Sequence, residues 1–194
     1  MWALVESDNV TQVYTRPKGL TIGNVNYPSN IFMLWTSSEL EAIGIYEIVI
    51  DNSNLKNKEY YTNTDQSFAF ADGVVTASYG TATARAIADV TNDDDTVTQG
   101  LKTNYKVRIN QQAGGLLQDT DWMVVRAAEG GTAVPSATTT WRAAVRTKAN
   151  SMQVQIDNAA DVDALAALYE YTNTGTEESP VFTRPLGEFP LLGA

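Results

Sequence analysis

The segment from Leu101 to Lys148 constrains this chain more than any other. Leu101, Tyr105, Ile109, Ala113 and Leu116 recur at three- and four-residue spacing, which places them on one face of a helix. Trp141, Val145, Lys148 and Met152 repeat the pattern downstream. Between the runs lies Glu129-Gly130-Gly131-Thr132-Ala133-Val134-Pro135, with glycines that turn freely and a proline suited to a first helical position. Two amphipathic helices on so short a link cover each other's apolar faces most simply as a helical hairpin. One local conflict stands inside the first helix. Gly114-Gly115, each costing about 1 kcal/mol relative to Ala, predicts a bend or break just before Leu116.

Upstream of the hairpin the signals are those of strands. Trp2 to Tyr14 alternates apolar and polar residues around Ser7-Asp8-Asn9, as a hairpin does. Leu20-Thr21-Ile22-Gly23 and Ile31-Phe32-Met33-Leu34-Trp35 read as short strands or extended segments on either side of Tyr27-Pro28. Ser37 or Ser38 followed by Glu41, with Gly44 beyond the last apolar position, predicts a capping box and a glycine stop for a helix of two turns. It feeds the β-branched run Ile45–Ile50. Ser67–Ala71 and Val74–Tyr79 flank Asp72-Gly73, a tight-turn signal. Residues 1–82 therefore read as a β-rich module with one short helix. Residues 83–100 read as a linker, first Ala-rich and then carrying the acidic run Asn92-Asp93-Asp94-Asp95.

Downstream, Asp161 is placed to cap a helix carrying Val162, Leu165, Leu168 and Tyr169 on one face, which completes a helical module at 101–171. Thr172 to Ser179 is polar and reads as a tether. The last stretch, Pro180 to Leu192, spaces three prolines among Val181, Phe182, Leu186, Phe189, Leu191 and Leu192, so residues 172–194 read as an extended arm. Proline pre-orders such a segment and lowers the entropy lost on docking. The arm, with Pro180, Val181, Phe182, Pro185, Leu186, Phe189, Pro190 and Leu191 as contact residues, is expected to lie on another subunit. A strap across the chain's own hairpin is the competing reading. The fold class is α+β: a β-rich module, a helical hairpin with a short helix, and the arm.

The hairpin also carries a resemblance. Arg108, then Leu116-Leu117, Thr120-Asp121-Trp122, a proline-containing loop, and Trp141-Arg142 followed by Val145-Arg146, in that order and spacing, resemble the short helical domain of phage tail assembly chaperone-like proteins. Proteins of that family are found in the tail and tail-fibre gene neighbourhoods of tailed bacteriophages. The N-terminal module resembles the leading module of structural proteins of marine tailed phages. The resemblance implies a tail-associated role, partners among other tail or fibre proteins in a homo- or hetero-oligomer, and residence in the virion after assembly in the host cytoplasm. Within the signature, Leu116, Leu117, Trp122, Trp141 and Val145 are expected to form one buried cluster. Asp121 is expected to pair with Arg142 or Arg146 on the facing helix.

Composition limits the chemistry. The chain has 13 basic and 23 acidic side chains, a formal charge of −10, which disfavours an electrostatic grip on nucleic acid or an anionic membrane. Cysteine and histidine are both absent, which removes thiolate chemistry, thiolate metal sites, Ser-His-Asp triads and the commonest general base. No phosphate-binding loop, Gly-x-Ser-x-Gly or Ser-x-x-Lys motif is present. Asp93 to Asp95 invites a calcium reading, but the alternating acids, glycine and terminal glutamate of a calcium loop are missing. The first residues have neither a basic region nor a long apolar run, so no secretion signal is expected. No 18-residue apolar stretch predicts a transmembrane helix. We therefore expect no enzyme, no cofactor and no metal, but a virion protein of the tail, baseplate or fibre region that docks on other proteins. Two other functions are weighed: an assembly chaperone that leaves the particle, and a carbohydrate-binding fibre tip drawing on nine Tyr and four Trp.

Overall fold

Short polar turns build the first half of the chain. In the computed structural model, which describes residues 1–193, β1 (Trp2–Glu6) and β2 (Asn9–Tyr14) are joined through Ser7 and Asp8. Both turn residues are left-handed, at φ 49° and 60°, the twist a two-residue hairpin asks for. A small ribbon follows, β3 (Leu20–Ile22) with β4 (Val25–Tyr27), then two single-turn helices, α1 (Ile31–Leu34) and α2 (Ser37–Glu41). Next come β5 (Ile45–Asp51), β6 (Tyr61–Thr62), β7 (Gln66–Ala71) and β8 (Val74–Tyr79). Asp72 and Gly73, at φ 51° and 78°, close the β7–β8 hairpin where the sequence placed it.

Five of these strands form one curled sheet in the order β2-β1-β5-β8-β7. All neighbours are antiparallel except β5 and β8, which run parallel. Alternation sorts the side chains onto two faces. Leu4 and Ile45 join Tyr14, Leu20, Ile31, Phe32 and Leu40 in a core roofed by the ribbon and the short helices. Ala3, Ile48, Val75 and Ala77 point the other way and pack with Val13, Tyr46, Phe68 and Phe70, so the curl fills its own inner face.

Two expectations for this unit are corrected. Ile31–Trp35 is not a strand, because Ile31 and Phe32 are neighbours in sequence and both are buried. A strand sends consecutive side chains to opposite faces, whereas one helical turn lets both enter the same core. The capping box forms two residues earlier than the Ser38–Glu41 pair, on Thr36 and Glu39. The Glu39 amide donates to Thr36 Oγ1 at 3.3 Å and the Thr36 amide donates to Glu39 Oε2 at 2.7 Å. The same Ser/Thr-x-x-Glu pattern occurs at both places, and the extended backbone at Trp35 and Thr36 selects the earlier one. Glu39's carboxyl is held below the usual carboxylate value by these bonds.

The chain divides into two compact units, Met1–Thr83 and the residues from Ala84 onward, with β9 (Thr83–Ala84) at the boundary. The second unit opens on a ribbon, β10 (Val90–Thr91) with β11 (Val97–Thr98), whose tip is the acidic run. Then come α3 (Leu101–Ala128), the loop Glu129–Pro135, α4 (Ser136–Asn158) and α5 (Val162–Ala167). As expected, Asp161 caps α5, its Oδ1 accepting from the Ala164 amide at 2.8 Å. Tyr105, Ile109 and Ala113 of α3 face Val145, Ala149, Met152 and Ile156 of α4, all buried, and Val162 and Leu165 close the bottom of this core. Polar contacts fix the antiparallel register of the hairpin. Lys106 pairs with Asp157 at 2.8 Å, and Gln153 donates to Asn110 at 2.9 Å.

The break considered at Gly114-Gly115 does not occur. α3 runs unbroken for 28 residues, about 42 Å at 1.5 Å per residue. Buried side chains lie before the glycines, at Ile109 and Ala113, and after them, at Thr120. Helices in proteins are held mainly by such packing, and one fully buried large side chain, worth about 1.5–3 kcal/mol, matches the propensity cost of the pair.

Candidate docking surfaces

The hairpin signature is most informative where it leaves the apolar seam, and here that point is Arg142. Its guanidinium is buried between α3 and α4 and makes three charge-assisted bonds. Nη1 donates to the Leu117 carbonyl at 2.8 Å and to Thr120 Oγ1 at 2.5 Å, and Nη2 donates to Asp121 Oδ1 at 2.6 Å. Thr120 Oγ1 in turn donates to the Leu117 carbonyl at 2.9 Å. Of the two arginines considered for Asp121, Arg142 takes the pair, and Arg146, one turn on, is exposed.

The expected apolar cluster divides. Val145 is fully buried and Trp141 is 9% exposed, while Leu116 and Leu117 are half-buried. Trp122 leaves the cluster: it is 55% exposed and faces outward, with the Arg126 guanidinium 4.8 Å from its ring centre. The reason is angular. Continuing the spacing of Tyr105, Ile109 and Ala113 along α3 reaches Thr120, not Trp122, and Thr120 is the residue that is buried.

The C-terminal segment folds back on its own unit. Thr172–Ser179 is a ribbon and not a free tether: β12 (Thr172–Asn173) pairs with β13 (Phe182–Thr183), and Asn173 Oδ1 accepts from the Gly175 and Val181 amides, each at 3.0 Å. Beyond it Leu186 is fully buried, its amide donating to the Leu168 carbonyl at 3.0 Å and its carbonyl accepting from Lys148 Nζ at 2.8 Å. Trp141 Nε1 donates to the Pro190 carbonyl at 2.9 Å. Arg184 lies over the rings of Tyr169 and Tyr171 and pairs with Glu188 at 2.8 Å. Tyr171 donates to Glu188 at 2.6 Å, a bond that raises the phenol's pKa. The residues named for the arm therefore fall into two groups. Leu186 is buried and Phe189 and Pro190 are half-buried on the hairpin, whereas Pro180, Val181, Phe182, Pro185 and Leu191 are exposed.

No family model matches the sequence, no curated protein matches it, and no solved structure matches its fold. The surfaces themselves carry the functional reading. Beside the strap, Gln112, Gly115, Leu116, Arg184, Glu188, Phe189 and Leu191 line an open groove of about 730 Å³. In the first unit, Gln12, Tyr14, Lys18 and Tyr27 line a smaller open cleft of about 420 Å³. A sugar ring stacks on an exposed aromatic face, but Tyr14 is buried, with Phe32 against it and Lys18 over its ring.

The acidic ribbon tip is tied up internally. Asp94 Oδ1 accepts from the Thr96 hydroxyl at 2.6 Å and from the Thr96 amide at 3.1 Å, which lowers its pKa. Among the described residues no three Asp, Glu, His or Cys side chains converge as metal ligands, and no helix is long and apolar enough to cross a membrane. Sequence reading did not find the Trp141–Pro190, Lys148–Leu186 and Tyr171–Glu188 contacts, because they join residues far apart in the chain.

Proposed function

We propose that this chain is a structural protein of a tailed bacteriophage, built into the tail, baseplate or fibre region and acting by docking on neighbouring proteins. The phage part rests on the resemblance carried by Leu116-Leu117, Asp121-Trp122 and Trp141-Arg142 with Val145 and Arg146. The docking part is carried by one observation: Val181, Phe182, Leu191 and Leu192 stay half or more exposed on a segment that Leu186 and Trp141 pin in place. A pinned apolar surface has already lost most of its conformational entropy, so a partner that covers it gains burial at little further cost. No enzymatic step, cofactor, nucleic acid or membrane enters this reading.

Mass spectrometry of purified virions tests it. Stoichiometric presence supports a built-in component. Expression in infected cells with absence from virions overturns the structural role in favour of an assembly chaperone. Replacing Val181, Phe182 and Leu191 with Ser should leave the fold intact and abolish incorporation.

A further inference from the structure

The cleft of the first unit is rimmed by side chains that have protons to give. β2 supplies Gln12 and Tyr14, two residues apart and so on one face of the strand. The β3–β4 ribbon supplies Thr21 and Asn26, which sit directly opposite each other, with Leu20 and Tyr27 as the next pair. The loop between β2 and β3 adds Lys18. Together they line an open space of about 420 Å³. Tyr14 and Leu20 are buried beneath it, whereas Gln12, Lys18, Thr21 and Asn26 are exposed around it.

The internal hydrogen bonds decide what this rim can offer. The Tyr14 hydroxyl donates to Gln12 Oε1 at 2.8 Å, and the Thr21 hydroxyl donates to Asn26 Oδ1 at 2.7 Å. Each bond spends a hydroxyl proton and occupies an amide oxygen. Among the described residues neither Gln12 Nε2 nor Asn26 Nδ2 donates to a protein acceptor, so both amide nitrogens keep their protons for a ligand. Burial, and then the charge of Glu6, raise the pKa of Tyr14, so the phenol remains a donor to Gln12 at neutral pH. Lys18 adds a cation. Its ammonium lies 5.1 Å from the centre of the Tyr14 ring, and among the described residues no carboxylate pairs with it. Resting over a ring face leaves an ammonium protons to give to an oxygen beside it. Glu6, the acid felt at Tyr14, is not among the lining residues.

We infer that this cleft binds a small organic carboxylate, on a body no larger than a single sugar ring, with Lys18, Gln12 and Asn26 donating to its oxygens. A carboxylate only accepts, and bonds to it from an ammonium or an amide are charge-assisted. One cation balances one negative charge. A dianion would leave a charge uncompensated on a chain already at −10. A neutral sugar gains little from the aromatic rings, since Tyr14 is covered by Phe32 and Lys18 and Tyr27 meets Trp35 edge-on at 5.8 Å. The size limit comes from the volume, which is near the lower end for ligand sites. The cleft lies wholly within Met1–Thr83, and neither the tail reading nor the docking surface enters the inference.

Titration of the isotope-labelled full chain with glucuronate, followed by heteronuclear NMR, is the test. The side-chain amide signals of Gln12 and Asn26 should shift together and saturate with a dissociation constant on the order of 1 mM. Glucose, which has a hydroxymethyl group in place of the carboxylate, should leave them unmoved. Acetate should shift the same signals more weakly. Inorganic phosphate, largely a dianion above neutral pH, should bind no more tightly than glucuronate.

Isosteric variants separate binding from folding. Asn26→Asp and Gln12→Glu keep an oxygen that accepts from Thr21 or Tyr14, but exchange the free donor for a negative charge. Each should weaken glucuronate binding about tenfold or more, with a melting temperature within about 2 °C of wild type. Lys18→Gln, at an exposed loop position, should weaken it as well and keeps the test open if an amide variant misfolds. An equal response to glucose, tighter binding of phosphate, or an affinity indifferent to Lys18→Gln and to both amide variants overturns the proposal. So does the absence of any shift at Gln12 and Asn26 up to about 50 mM glucuronate.

Discussion

Truncating Leu186 decides between a strap and a free arm. Its side chain is fully buried, and both its backbone groups are bonded to the hairpin unit, to Leu168 and Lys148. Removing three carbons from such a site costs about 2–5 kcal/mol, the lost transfer energy plus the cavity left behind. We take about 3 kcal/mol, since a strap can settle inward more readily than a helix. A unit of about 110 residues unfolds with an entropy near 0.23 kcal/mol/K, so the midpoint should fall by about 13 °C. Leu191→Ala is the control: Leu191 is 74% exposed, and surface truncations stay within about 0.5 kcal/mol, or about 2 °C. Differential scanning calorimetry of the two variants at low protein concentration reads both numbers. If Leu186→Ala melts within about 2 °C of wild type, Leu186 is not part of this unit's core, and the segment is the arm that composition alone allows.

Other outcomes follow from the same geometry. Arg142→Ala should cost about 2–4 kcal/mol in urea unfolding, from three charge-assisted bonds and a buried stem, whereas Asp121→Asn should cost about 1 kcal/mol because its carboxylate is largely in water. Equal costs would mean that the ion pair, and not the Leu117 and Thr120 contacts, holds the helices. Asp89 accepts from the Gly100 amide at 2.8 Å, and that bond holds its pKa below the usual carboxylate value. A lowered folded pKa contributes stability above the unfolded value and loses it as pH falls through the folded one. Asp89→Asn should therefore flatten the acid limb of the stability curve below pH about 4; an unchanged limb argues against the bond. Gly100→Ala should destabilise the start of α3 despite ordinary φ, since the added carbon overlaps the Ala88 carbonyl, and circular dichroism melting checks it. Duplex DNA binding at physiological salt should be negligible for a chain of charge −10, and a steep salt-dependent affinity in fluorescence anisotropy would contradict that.

Local chemistry was legible in the sequence wherever a feature is decided within a few residues. Asp72-Gly73 turns the β7–β8 hairpin, Asp161 caps α5, and the three- and four-residue spacing of Tyr105, Ile109 and Ala113 marks the buried side of α3. Residue type was a poorer guide than spacing. Trp122 and Trp141 are the same side chain on adjoining helices, yet one is out and one is in, because only the spacing says which side of a helix meets its neighbour.

Other features depended on partners far away in the chain. Gly114-Gly115 lowers helix propensity, but packing on both sides of the pair outweighs it, and propensity contains no term for α4. Ile31–Trp35 is apolar throughout, and the position of the core beside it decided for a helical turn. The parallel pairing of β5 with β8, set between antiparallel strands, leaves no mark in either strand's alternation. The proline-spaced C-terminus showed that the segment could not be helical. Its docking on Trp141, Lys148 and Leu168 came from the hairpin, whose surface offers an apolar pocket for Leu186 and donors for two carbonyls. The sequence by itself determined turns, caps and helix faces, because steric and hydrogen-bonding preferences act over a few residues. Strand order, the outward indole and the strap were decided by tertiary structure, because burial is a property of two surfaces and a segment carries only one of them.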